Sequence, residues 1–77
     1  GKPEKVLRGF VCEGRRSARS HFIVLVEGQV SGEVTSGTFS PCLKKGIGLC
    51  YIDRNLAEDG REIILTNGKI EIKAVVK

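Results

Sequence analysis

The sequence lacks the features by which many protein classes announce themselves. It has no apolar run long enough to span a bilayer; the longest are Phe22-Ile23-Val24-Leu25-Val26 and Ile63-Ile64-Leu65. Its polar opening, Gly1-Lys2-Pro3-Glu4-Lys5, has no apolar stretch of the signal-peptide kind. The three cysteines, Cys12, Cys42 and Cys50, cannot all pair, which argues against a disulfide-stapled secreted domain and for reduced thiols in an intracellular protein. There is no Cys-x-x-Cys pair and His21 is the sole histidine, so the close ligand spacing of a zinc site is missing and no metal is expected. No glycine-rich run precedes a helix, which removes the usual phosphate loop, and no internal repeat or linker divides the chain.

At 77 residues the chain is expected to form one domain, residues 1–77, with residues 1–4 flexible. An opening Gly in place of Met suggests processing or excision from something longer. A core this small leaves little room for a deep substrate cavity, so a self-contained enzyme is not expected.

Ten glycines at short intervals, with no sustained helical periodicity, point to an all-β protein. Lys5–Cys12 reads as a strand, with Gly9 marking a bulge or a close backbone approach. Residues 13–19 follow as a polar, arginine-rich loop. The β-branched run at residues 22–26 is a second strand, and Glu27-Gly28 a tight reversal. In residues 29–36 the alternation places Val30, Gly32 and Val34 on one face, with Ser31, Glu33 and Thr35 on the other. Residues 35–41 read as a loop rich in hydroxyls, and residues 42–45 as a single helical turn. Residues 47–52 form a strand with Gly48, Cys50 and Ile52 opposite Ile47, Leu49 and Tyr51. Residues 53–60 connect onward, with a short turn at Leu56-Ala57. The last hairpin turns at Asn67-Gly68, a type I′ signature, and returns with Ile70, Ile72, Ala74 and Val76 inward. Six strands in so short a chain hide their edges by closing, so the expected fold is a small six-stranded antiparallel Greek-key-like barrel.

The net charge is +4, and six of the 13 Lys and Arg residues fall in the first nineteen positions. Arg15, Arg16 and Arg19, next to His21, make the densest polar cluster, suited to gripping a carboxylate or phosphate, to docking, or simply to solvation. A small basic barrel can bind nucleic acid or an acidic protein. Phe10, Phe22, Phe39 and Tyr51 are scattered singly, however, and lack the motif of an aromatic stacking platform. Asp53, Glu58, Asp59, Glu33 and Glu71 read as solvated carboxylates. A Cys–His nucleophile pair has no supporting motif.

The run Gly32-Glu33-Val34-Thr35-Ser36-Gly37-Thr38-Phe39-Ser40-Pro41-Cys42-Leu43-Lys44-Lys45 resembles the C-terminal β-barrel domain of the glycine cleavage T-protein (aminomethyltransferase) family. Arg8-Gly9-Phe10, Glu13-Gly14, Arg19, Glu27-Gly28, Gly68-Lys69 and Val75-Val76-Lys77 extend the resemblance along nearly the whole chain. Departures include Cys50 before Tyr51, where the family usually has glycine, and Gly48, where alanine is common. The resemblance implies a parent protein that moves an aminomethyl group from the lipoyl arm of a carrier, the H protein, to tetrahydrofolate, releasing ammonia. It also implies that most of the folate pocket belongs to an N-terminal part absent from this chain. Arg19 matches a loop arginine near the folate, and Arg15 and Arg16 would face a partner. No cofactor is expected to bind tightly to the barrel alone, and no catalytic residue is expected in it. No membrane partner is implied, and nucleic acid is disfavoured. The implied compartment is the cytoplasm of a bacterium or the mitochondrial matrix of a eukaryote.

Overall fold

A computed structural model describes residues 4–14 and 16–77. Six strands carry nearly all of the regular structure: β1 (Lys5–Cys12), β2 (Ile23–Val26), β3 (Gln29–Ser40), β4 (Lys45–Asp53), β5 (Glu62–Thr66) and β6 (Glu71–Val76). One 3-10 turn, Arg54–Leu56, links β4 to β5. The strands close into a barrel in the order β1-β4-β3-β2-β5-β6, every neighbouring pair antiparallel. The meander β2-β3-β4, with β1 returning beside β4, is a Greek key. Closure removes the free edges that short strands would otherwise expose.

Strand alternation fills the interior. Phe10 and Cys12 of β1, Val24 and Val26 of β2, Val34 of β3, Cys50 and Ile52 of β4, Ile63 and Leu65 of β5, and Ile72, Ala74 and Val76 of β6 form one buried cluster. Ala18, Phe22 and Ala57 join it from the connections. Burial pushes the Cys50 thiol pKa up to about 11 and raises that of Cys12, where a backbone hydrogen bond with Ala18 partly offsets the effect. Cys42 is exposed in the turn at residues 41–44.

Two bulges separate the structure from the simple alternation. Val24 pairs with Gly32 and Leu25 with Val30, which makes Ser31 the extra residue on β3. Ser31 is therefore buried, its hydroxyl donating to the Gln29 carbonyl at 3.1 Å, and Val30 is exposed rather than inward. The second bulge falls at Thr35, between the pairs Val34–Cys50 and Ser36–Leu49. Residues 35–40 are thus strand and not loop: pairing with β4 supplies ladder hydrogen bonds to a segment whose composition reads as irregular.

Of the hairpin turns, Glu27-Gly28 is the tight reversal its sequence suggests, and Asn67-Gly68 departs from its signature. Glu27 and Gly28 both have positive φ, 53° and 81°, as a two-residue I′ turn requires. At the other end only Gly68 is positive, so Asn67-Gly68 does not form a I′ turn. Thr66 pairs with Glu71 across a four-residue loop. Asn67 Oδ1 accepts hydrogen bonds from the Lys69 and Ile70 amides at 2.9 and 3.0 Å. Thr66 Oγ1 accepts from the Gly68 amide and donates to the Ile70 carbonyl. These side-chain bonds do what a second positive φ would otherwise have to do. Ile70 consequently sits in the loop, partly exposed, and not on the inner face.

Candidate functional site

Residues 13–22 connect β1 to β2 as a strap across the β3–β4 hairpin. Its ends are tied by backbone bonds: Glu13 N–H donates to the Lys73 carbonyl, and Gly46 N–H to that of Gly14. Further on, His21 N–H donates to Val34 and Val34 N–H to Phe22. Phe22 N–H donates to Arg19, closing a turn whose third residue, His21, has a φ of 75°. Ala18 is fully buried, so the middle of the strap is anchored by a small apolar side chain between two arginines, and its end by the buried Phe22.

The strap lies so close to the hairpin that two of the glycines beneath it have no room for a side chain. A β-carbon on Gly37 would overlap the Ala18 carbonyl, and one on Gly46 the Arg16 carbonyl and Ser17. The residues of the Thr-Ser-Gly…Ser-Pro run therefore have separate structural tasks. Thr35 sits at the bulge and donates its hydroxyl to the Leu49 carbonyl at 3.1 Å. Ser36 faces outward. Gly37 receives the strap. Ser40 starts the turn, with its carbonyl accepting from the Lys44 amide at 2.7 Å and its hydroxyl from the Leu43 amide.

Where strap and strand meet, an open groove is walled by Ser17, Arg19, Ser20, Thr35, Ser36, Gly37 and Thr38. One guanidinium beside several hydroxyls suits an anion, since the guanidinium offers a planar fork of donors and the hydroxyls add neutral ones. Arg16 is exposed but not among these walls. Arg15 lies outside the described residues. His21 points elsewhere: its Nδ1 lies 3.5 Å from Glu33 Oε1, both side chains being largely solvated. The sequence cluster is thus divided: among its described residues, only Arg19 walls the groove.

A second hollow, about 650 Å³, was not anticipated from sequence. It is bounded by Glu13, Glu27, Glu58, Asp59 and Glu62 with Arg61 and Lys73, around Leu25, Ile63 and Ala74. Its only sequence signal is the charged run at residues 58–62. Five carboxylates against two cations make it unsuited to an anionic ligand. Arg61 lies 3.5 Å from Glu58 there, while its Nε is buried with no hydrogen-bond partner among the described residues.

The family model described as the glycine cleavage T-protein C-terminal barrel domain matches residues 5–77. An aminomethyltransferase of Porphyromonas gingivalis is 41% identical over 78 residues, covering 99% of this chain and 21% of that protein. An aminomethyltransferase of Streptomyces coelicolor is 48% identical over 61 residues, covering 79% of this chain and 16% of its own. The crystal structure of the glycine cleavage system aminomethyltransferase T from Bartonella henselae superposes with a TM-score of 0.84 at 23% identity. That match covers 96% of this chain and 21% of the other, and it supports the fold. The chain spans about a fifth of the length of such relatives.

Proposed function

The chain belongs to the glycine cleavage T-protein C-terminal barrel family, and from that premise we propose that it is the closing domain of an aminomethyltransferase. The parent enzyme transfers an aminomethyl group from the lipoyl arm of a carrier protein to tetrahydrofolate and releases ammonia. The barrel alone is inert, serving as a wall for chemistry completed by the N-terminal part. The observation that carries this reading is the match across residues 5–77 in a chain only about a fifth as long as its relatives.

Tetrahydrofolate fits these residues only in part. Its carboxylate tail suits the Arg19 groove, where guanidinium and hydroxyls converge. Its pterin ring needs flat, enclosed apolar walls, which that open groove does not offer. The acidic hollow repels the tail. Arg19 would therefore hold the charged end of the cofactor, with the ring bound by polypeptide outside this chain. Arg16, exposed beside the groove, would face the carrier or the N-terminal part, as would Arg15.

The test compares the full-length protein with the 77-residue chain, each supplied with tetrahydrofolate and aminomethylated carrier. The full-length protein is expected to form methylenetetrahydrofolate and ammonia, and the barrel alone to form neither. Turnover by the barelled fragment at a rate near that of the full-length protein, or none by the full-length protein, overturns the reading.

A further inference from the structure

Three large apolar side chains lie together on the outside of the barrel. Leu7, Leu49 and Tyr51 are 49, 43 and 46% exposed, with Leu7 opposite Tyr51 and Gly9 opposite Leu49 in the β1–β4 register. Phe10, Cys12, Cys50 and Ile52 point into the core, so these four positions face away from it. The outer face of an antiparallel barrel ordinarily carries polar side chains.

Gly9 is the telling member. Its φ is outside the left-handed region, and among the described residues a β-carbon there would meet only the Gly48 and Lys77 carbonyl oxygens, at 3.7 and 3.9 Å. That is ordinary contact, so nothing within the barrel calls for glycine. A strand glycine costs stability, and where the fold itself does not need one, it leaves bare backbone for another chain segment to approach.

We propose that the face centred on Gly9 and framed by Leu7, Leu49 and Tyr51 seats the polypeptide that precedes this barrel in its full-length chain. The inference rests on the reading of the barrel as the closing domain of a longer protein. About four-fifths of the Porphyromonas gingivalis relative lies outside the matched segment. Such polypeptide would enter through β1, the strand that carries Leu7 and Gly9. Three side chains are too few to hold a free partner, whereas a tethered segment has a high effective concentration and needs little area. A second copy of the chain would bring a second net charge of +4 to the same contact.

The test places a benzophenone-bearing photo-crosslinking residue at position 49 of the full-length protein, with peptide mapping after irradiation. A cross-link to a segment of the same chain N-terminal to the barrel is expected. No cross-link, or one to a second copy or another protein, overturns the proposal. Gly9→Val gives the independent arm. In the 77-residue chain it should leave the melting temperature unchanged or higher, and in the full-length protein it should speed proteolytic release of the barrel at least tenfold. An unchanged release rate overturns the proposal. Aminomethyl transfer by the unaltered full-length protein is measured alongside. Its absence sinks the functional reading, while the cross-link judges the docking face separately.

Discussion

The carbonyl oxygen of Ala18 occupies the space that a β-carbon on Gly37 would need. The obstructing atom belongs to backbone that is held by Ala18 burial and by hydrogen bonds on either side, so it cannot swing away as a long side chain would. Gly37→Ala is therefore expected to destabilise the barrel by about 2–3 kcal/mol, in the range of overpacked core sites. For a domain this small that lowers the melting temperature by roughly 10 °C or more. Gly14→Ala, where no described residue beyond the chain neighbours lies within 4 Å of the added carbon, is the control and should melt near the parent temperature.

Arg19 is separable from the fold, because its side chain is exposed and only its carbonyl is used in the strap turn. Arg19→Ala should leave the melting curve of the 77-residue chain in place. In the full-length protein it should raise KM for tetrahydrofolate by about tenfold, the scale of one lost hydrogen bond to a charged group. Arg19→Lys should recover only part of that, since an ammonium cannot offer the guanidinium fork. Unchanged steady-state kinetics in both variants would remove Arg19 from the site.

The buried thiols set an alkaline limit on stability. Cys50 titrates near 11 when folded, against an ordinary value near 9, and Cys12 is shifted in the same direction. The folded state thus holds these protons more tightly than the unfolded chain does. Their contribution is fully present below pH 9 and is lost as pH rises toward 11, with Cys50 accounting for on the order of 2 kcal/mol. Urea midpoints measured from pH 8 to 11 should fall, and Cys50→Ala should flatten the fall while lowering the starting stability. Under native conditions below pH 9, Cys42 should react with a thiol reagent well before Cys12 or Cys50, because it alone is exposed.

The four-residue loop between β5 and β6 depends on Asn67 for two amide contacts. Asn67→Ala should cost about 1–2 kcal/mol by leaving those amides to water. Asn67→Asp, which keeps the acceptor, should cost less. Chemical denaturation of the two variants separates them; equal losses would show that the loop is held by its strands alone.

Much of the barrel was legible from alternation. Lys5–Cys12 has the bounds read from sequence, and Cys50, Ile52, Ile72, Ala74 and Val76 lie on the inner face as their spacing requires. What alternation could not show was where it breaks. Ser31 and Thr35 are each one residue too many for their partner strand, a property of pairing that no single strand encodes. Plain alternation puts Val30 beside Val34 for that reason, and residues 35–40 read as loop because their hydroxyls and glycine suit one. Arg19 stands out in the sequence as one of a cluster of three arginines, and the family resemblance alone separates it from Arg15 and Arg16. Its companions in the groove, Ser17, Ser20, Thr35, Ser36 and Thr38, come from two distant segments that the strap brings together. The burial of Ala18 carried no signal at all, being a small residue within a charged run.

Pairing of the first and last strands has one more consequence. Val11 lies against Val75, and the amide of Lys77 donates to the Gly9 carbonyl, so residue 77 sits four residues along from where β1 begins. A short linker could thus splice tail to head, with new ends opened in the turn at residues 41–44. Such a circular permutant would keep every rung of the barrel while moving the point of attachment to the opposite end of the β3–β4 hairpin.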